Sequence, residues 1–311
     1  MSNILVDNDW SEHYVKRGDP SKPTYYIIRW KSYLPGLFAT FTLTASRVRY
    51  AITNNWIPVV DMQNYPSSYL APEKLSKENA WEYYFEQPMR VGLEEARNGE
   101  NVILCSEEYK TMVPWRLMFN WWNRRTFIVE WQMLVKLGFL KIKPEIMEEI
   151  SAIRDKLFPP KERILGLHLR GTDYLNKPYI HMIPPPTEYA LKVVIDKMHE
   201  WKCNKLFLAT EDKNIFKIFQ ESFGEYLLTF DKPFKDYKPG KSVGDTRIER
   251  ENDHFLSGKD YLIEMMLLTQ CNSFIASGGA GNNGVMFFGD HFDNVHIFDF
   301  GSYGVYAKYK P

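Results

Sequence analysis

From residue 164 onward, short apolar runs alternate with amphipathic stretches, and that alternation leaves few folds open. Residues 164–169 (ILGLHL), 205–210 (KLFLAT), 226–230, 273–276 and 295–298 read as strands. Between them, 186–201, 213–223, 260–269 and a short 283–288 read as helices. Strands that are apolar on both faces must be covered on both faces, and intervening helices provide that cover. The pattern therefore predicts a doubly wound, mainly parallel sheet.

The first half carries the same signature less cleanly. Residues 24–30 (TYYIIRW) predict a strand, 33–36 a turn, 37–54 a helix and 56–61 (WIPVVD) a second strand ending in Asp61, which makes a βαβ unit. Residues 102–106 (VILCS) predict another strand, whereas 1–22 are polar with no clear period. Trp115, Met118, Phe119 and Trp122 fall on one helix face, which reads as a core face before it reads as a glycan-binding or membrane stripe. A helix over 143–157 runs into Phe158-Pro159-Pro160-Lys161, where two prolines end it and stiffen a connector. We therefore expect an α/β chain of two Rossmann-like domains, 1–160 and 161–311.

Composition removes several classes of function. Lys plus Arg equals Asp plus Glu at 39 each, so the basic excess of a nucleic-acid binder is missing. The first residues show no basic segment followed by an apolar run, and no stretch reaches the roughly 18 apolar residues of a membrane span. Cys105, Cys203 and Cys271 are scattered, with no CxxC or Cys/His cluster to suggest zinc. A cytoplasmic protein with reduced thiols, peripheral to a membrane at most, is the expectation.

Ligands of such sheets bind outside the carboxyl ends of the strands. Those ends deliver His168-Leu169-Arg170-Gly171-Thr172-Asp173, then Thr210-Glu211-Asp212, then Ser277-Gly278-Gly279-Ala280-Gly281-Asn282-Asn283-Gly284. A guanidinium at Arg170 suits phosphate oxygens, although a salt bridge to Asp173 or Asp212 would also account for it. The glycines let backbone N–H groups approach an anion at a helix N-terminus, or serve only a tight turn. Glu264, on the preceding helix, could take two N–H groups of guanine or be a solvated acid. Gly279-x-Gly281-x-x-Gly284 with Asp299 also fits a dinucleotide fingerprint, but too few strands follow it for a dehydrogenase.

The string His168-Leu169-Arg170-Gly171-Thr172-Asp173 resembles the HxRxxD motif of GDP-fucose-dependent fucosyltransferases: the α-1,6 enzymes including the nodulation type, the α-1,2 enzymes and the protein O-fucosyltransferases. Residues 186–198, 205–216 and 261–279 are similar to successive donor-domain segments of the α-1,6 branch, so the likeness covers about 164–290. The resemblance implies a GT-B-like fold with two domains facing a cleft, and inverting, metal-independent transfer from GDP-fucose to a glycan. It makes 161–311 the donor domain and 1–160 the acceptor side. It implies that His168 contacts the guanosine part, that Arg170 holds the β-phosphate, and that Glu264 stands where the family has an Asp reading guanine. Ser277, Gly278, Gly279 and Ala280 stand where the family's hydroxyl-bearing residues approach the phosphates, and Thr210, Glu211 and Asp212 complete the expected donor contacts.

There are departures. Gly171 replaces a second arginine of many members, and Gly279 and Ala280 offer only backbone donors. Residues 174–181 hold no glutamate where the α-1,6 branch keeps its base. The candidate catalytic residues are Arg170, Asp173 and His181, with Asp61 and Glu86 as acids from the first half. The aromatic and acidic run Trp81–Pro88 reads equally as a sugar pocket or as core. Against this stand a nucleotide-sugar or glycan binder that has lost its base, and another Rossmann nucleotide-dependent enzyme.

Overall fold

The computed structural model describes residues 4–30, 36–106, 121–172, 174, 181–235, 246–304 and 306–307. The expected stripe of Trp115, Met118 and Phe119 lies outside the described residues, as does the side chain of Trp122. Two sheets organise the chain. The first joins β1 (His13–Lys16), β2 (Thr24–Ile28), β3 (Ile57–Val60) and β4 (Asn101–Leu104) in the order β1-β4-β2-β3, parallel except for β1. The second joins β5 (Ile164–His168), β6 (Lys205–Ala209), β7 (Leu227–Leu228), β8 (Ser273–Ser277) and β9 (Asn294–Phe298) in the order β7-β6-β5-β8-β9, all parallel. A two-stranded ribbon of β10 (Gly301–Ser302) and β11 (Tyr306–Ala307) follows.

The helices are α1 (Leu37–Thr53), α2 (Leu93–Asn98), α3 (Trp121–Lys136), α4 (Pro144–Leu157), α5 (Thr187–Glu200), α6 (Lys213–Phe223), α7 (Asp253–Leu268) and α8 (Ala280–Phe288). No helix among the described residues is long and apolar enough to cross a membrane. Cys105, Cys203 and Cys271 are buried free thiols.

The period-2 alternation of each strand sorts side chains between two layers. Leu165, Leu167, Leu206 and Leu208 face α5 and α6 through Ala190, Val194, Ile215 and Phe219. Phe207, Ala209 and Phe274 point the other way, into a core that also holds Tyr26, Ile28 and Ile103 of the first sheet. One core therefore runs between the sheets, through α1, α7 and α8. Phe41 of α1 sits in its middle, with ring centroids 5.0 Å from Phe85 and 5.3 Å from Phe288 of α8.

Three expectations shift. Residues 13–16 form β1, an edge strand with an irregular register near Lys16; a polar, partly exposed edge leaves little periodic signal. The helix expected from 260 starts at Asp253, whose carboxylate accepts from Ile248 N, Arg250 Nε and Ser257 Oγ and so anchors two polar turns. The helix expected from 283 starts at Ala280, because close packing overrides the poor helix propensity of glycine. A Cβ on Gly284 would run into the ring of Phe38 on α1, and Gln132 of α3 donates to Met286 O at 2.8 Å.

Gly284→Ala should destabilise the protein by about 1–3 kcal/mol in urea unfolding, and Phe38→Ala in the same chain should recover part of that loss. Strictly additive effects would mean that the two helices do not press on each other there.

Candidate active site

In the second sheet β5 is flanked by β6 and β8, so the chain turns outward in opposite directions on its two sides. A crevice opens at such a switch point, at the carboxyl ends of the strands. His168 ends β5, Thr210-Glu211-Asp212 leave β6, and Ser277-Gly278-Gly279 leave β8 into the N-terminus of α8. The three clusters expected from the sequence are thus brought together.

Arg170 is held by Glu211. Its Nε donates to Glu211 Oε1 at 3.0 Å, with both side chains about four-fifths buried (20% and 16% exposed). The same oxygen accepts from Thr172 Oγ1 at 3.0 Å and Gly171 N at 3.3 Å. Among the described residues Glu211 is an ion-pair partner of Arg170, and Asp212 is committed elsewhere. Its Oδ1 accepts from Asn214 N and Ile215 N and caps α6, while its Oδ2 accepts from Thr172 N at 3.1 Å. A Cβ on Gly171 would overlap that carboxylate and stand 2.7 Å from its Cγ, so the missing second arginine has a steric cause. Thr172 follows with φ at 39°, a left-handed value that a β-branched residue rarely takes. Thr210 Oγ1 accepts from Asp212 N at 3.2 Å, so its hydroxyl serves the same turn.

His168 is buried, and Nδ1 is hydrogen-bonded to Asn282 Oδ1 on α8. Asn282 Nδ2 donates to Ser277 O, which orients the amide and gives the imidazole proton to Nδ1. Nε2 is left as an acceptor. Burial pulls the His168 pKa down to about 4, against the hydrogen bond that Nδ1 donates to Asn282, so the ring is neutral near pH 7. Ser277 is buried as well, and its Oγ has no hydrogen-bond partner among the described residues. A buried hydroxyl without a partner at a crevice is what a ligand or water would satisfy. Gly279 is the N-cap of α8 and supplies no side-chain cap.

Tyr174 joins the predicted catalytic residues. The Arg170 guanidinium lies 4.7 Å from its ring centroid, and His181 meets the same ring edge-on at 5.2 Å. The Tyr174 hydroxyl also stands 3.3 Å from where a Gly279 Cβ would be. Asp173 lies outside the described residues.

Glu264 is not a solvated acid. It is 3% exposed, and its Oε2 accepts from Lys232 Nζ. Burial pushes its carboxyl above the usual range while Lys232 opposes that push. One turn earlier on α7, Tyr261 closes on Gly281 of α8, where a Cβ would overlap its hydroxyl and stand 3.3 Å from His168 Cε1. The first half reaches the same region. Ser68 O accepts from Arg247 Nη2 at 2.6 Å and is 2.9 Å from His254 Nδ1.

The acids of the first half have other duties. Asp61 is fully buried; its Oδ1 accepts from Gln63 N and Asn64 N, and its Oδ2 from Asn64 Nδ2. Glu86 lies 3.9 Å from Arg90. Trp81, Tyr84 and Phe85 are core, with Trp81 and Phe85 centroids 4.5 Å apart. The run Trp81–Pro88 therefore builds the interior and not a sugar pocket. Among the described residues, no group of three or more His, Cys, Asp or Glu is placed to hold a metal ion. Sequence reasoning missed Tyr174, Asn282 and Lys232. Asn282 stood inside the glycine segment and Tyr174 next to the motif, but a lone lysine in a polar stretch gave no signal.

Two Rossmann-like sheets, the second with its polar clusters at the switch point, define the GT-B-like class expected from the sequence, and solved proteins of that class superpose on the chain. Crystalline NodZ α-1,6-fucosyltransferase soaked with GDP-fucose matches with a TM-score of 0.51 at 17% identity, over 85% of this chain and 92% of its own. Fucosyltransferase NodZ from Bradyrhizobium matches with a TM-score of 0.53 at 18% identity, over 90% and 97%. POFUT1 in complex with GDP-fucose matches with a TM-score of 0.52 at 10% identity, over 90% and 99%. At these identities the likeness establishes the fold. No family model matches the chain, and no curated protein matches it by sequence.

The buried His168 makes a pH prediction. Its folded pKa of about 4 lies below the ordinary 6.5, so between those values the unfolded chain binds more protons. Its contribution is at full strength above pH 6.5 and is lost as the pH falls toward 4, roughly 3 kcal/mol in all. Urea unfolding of wild type and His168→Gln at pH 7 and 4.5 should show a smaller acid loss in the variant. Equal losses would mean that His168 protonates freely in the fold.

Proposed function

We propose that this protein is an inverting, metal-independent glycosyltransferase that moves fucose from GDP-fucose to a hydroxyl of a glycan acceptor. The observation that carries this reading is the convergence at the switch point. Arg170, neutral His168, the unpartnered hydroxyl of Ser277 and the N-terminus of α8 meet where a nucleoside diphosphate binds in folds of this kind. Solved proteins of the same fold hold GDP-fucose, which supports the choice of donor. Residues 161–311 would form the donor side and 1–160 the acceptor side, in a cytoplasmic enzyme of surface-polysaccharide assembly.

In this reading the acceptor oxygen attacks C1 of fucose from the face opposite the diphosphate. The bond from C1 to the β-phosphate oxygen breaks, and GDP leaves with that electron pair. The acceptor's proton passes to Asp173 or His181. Negative charge grows on the β-phosphate as the bond breaks, so a cation fixed there stabilises the transition state more than the ground state. Glu211 and Tyr174 hold the Arg170 guanidinium in one orientation, which removes reorganisation from the step. Ser277 Oγ, with the backbone at Gly278, Gly279 and Ala280, would take phosphate oxygens. His168 Nε2 would accept from the guanosine, and Glu264 from the guanine edge.

Calorimetric titration with GDP, GDP-fucose, GDP-mannose and UDP, in EDTA, tests the donor. Binding of the GDP ligands and not of UDP is expected; a folded sample that binds no GDP ligand would sink the reading. Arg170→Ala should lower kcat on the order of 10²–10³, with chelator leaving the wild-type rate unchanged. If the variant unfolds instead, the Arg170–Glu211 pair is structural.

A further inference from the structure

Glu264 is a carboxyl group in a setting that does not favour its charge. It is 3% exposed on the core-facing side of α7. Among the described residues three charged groups act on it most strongly: Lys232 from the segment after β7, Glu211 from the end of β6, and Asp260 one turn back on α7. Two of the three are anions, which favour the protonated acid together with burial. Of these three, Lys232 works for the carboxylate, and it does so by direct contact, donating to Oε2 from a side chain that is itself 14% exposed. Oε1 takes no hydrogen bond from the described residues. The His168 ring feels both Lys232 and Glu211, so the pair belongs to the same crevice.

The protonation state decides what the group can recognise. A carboxylate only accepts hydrogen bonds, whereas a carboxylic acid donates one and accepts another. Guanine presents two adjacent donors, N1–H and the N2 amine. Adenine presents a donor and an acceptor, the N6 amine and N1. An ionised Glu264 matches guanine and leaves adenine N1 facing a lone pair; a neutral Glu264 matches adenine and leaves a guanine donor facing a hydroxyl proton.

We propose that Lys232 sets the nucleobase specificity of the donor site by keeping Glu264 a carboxylate that can only accept hydrogen bonds. Lys232 is then a positioning residue acting through Glu264, with no need to touch the nucleotide. The proposal rests on Glu264 contacting the base, as in the function proposed above.

The experiment is calorimetric titration of GDP, IDP and ADP into wild type, Lys232→Met, Lys232→Arg and Glu264→Gln, each first checked for folding by circular dichroism. Wild type should prefer GDP to IDP, which lacks the N2 amine, and should reject ADP. Lys232→Met should lower the GDP-to-ADP ratio about ten- to hundred-fold, the worth of a hydrogen bond to a charged group. Lys232→Arg should restore the ratio. Glu264→Gln, whose amide donates and accepts as the neutral acid does, should lose discrimination like Lys232→Met. If Lys232→Met weakens GDP and ADP equally, the lysine is structural and the inference fails while the donor reading stands. If Lys232→Met does not fold, a Glu264→Gln ratio equal to wild type overturns the inference, and a collapsed Glu264→Gln ratio together with a wild-type ratio in Lys232→Arg supports it. Wild type that binds no GDP brings down both readings.

Discussion

The carboxylate of Asp212 joins the loop after β5 to the first turn of α6, and the geometry of the crevice follows from that junction. One oxygen caps the helix and the other takes Thr172 N–H. The chain must then pass close enough to the carboxylate that position 171 has no room for a side chain. It leaves that position with Thr172 in a left-handed conformation, which only surrounding contacts can hold. Glu211 follows from the same turn: with its neighbour fixed, its Oε1 lies where Arg170 Nε, Gly171 N and Thr172 Oγ1 converge. An arginine has many rotamers in solution; here its direction is set by a helix cap two contacts away.

The crevice contains two ion pairs that burial makes expensive, Arg170 with Glu211 and Lys232 with Glu264. Such pairs are weak arguments for stability, since apolar residues of similar volume often serve a core as well or better. Their placement at the end of one sheet, beside a neutral histidine and an unpartnered hydroxyl, fits a site kept polar for a ligand. The core a few residues below is apolar without exception along Phe207, Ala209, Phe274 and Ala276. The change from one chemistry to the other takes place within a residue or so of each strand's carboxyl end.

Much of this was legible in the sequence for a simple reason. Runs such as ILGLHL and KLFLAT are buried on both faces, and their polar neighbours lie at the carboxyl end, so periodicity alone placed His168, Arg170, Glu211 and Ser277 on one edge. What stayed hidden depends on contacts between distant segments. Lys232 meets Glu264 across 32 positions, and His168 meets Asn282 across 114. The same is true of the bond that Asp212, the cap of α6, takes from Thr172 N–H across 40 positions. β1 was missed because an edge strand needs only one hydrogen-bonded neighbour and no apolar alternation. The aromatic run at Trp81–Phe85 was ambiguous because rings that stack on sugars also stack on each other, and only the neighbours at Phe41 and Phe288 decide between them.

The contact between Gly284 of α8 and Phe38 of α1 bears on how such a protein can diversify. The two sheets share one core, and at this point a ring from the first half fills the space that a side chain from the second would need. A second half brought in by recombination, carrying any larger residue at that position, would meet Phe38 before it met a substrate. The halves of this chain are therefore bound to change together. New specificities would be reached by substitution around the crevice, with the seam between the sheets inherited as a matched pair.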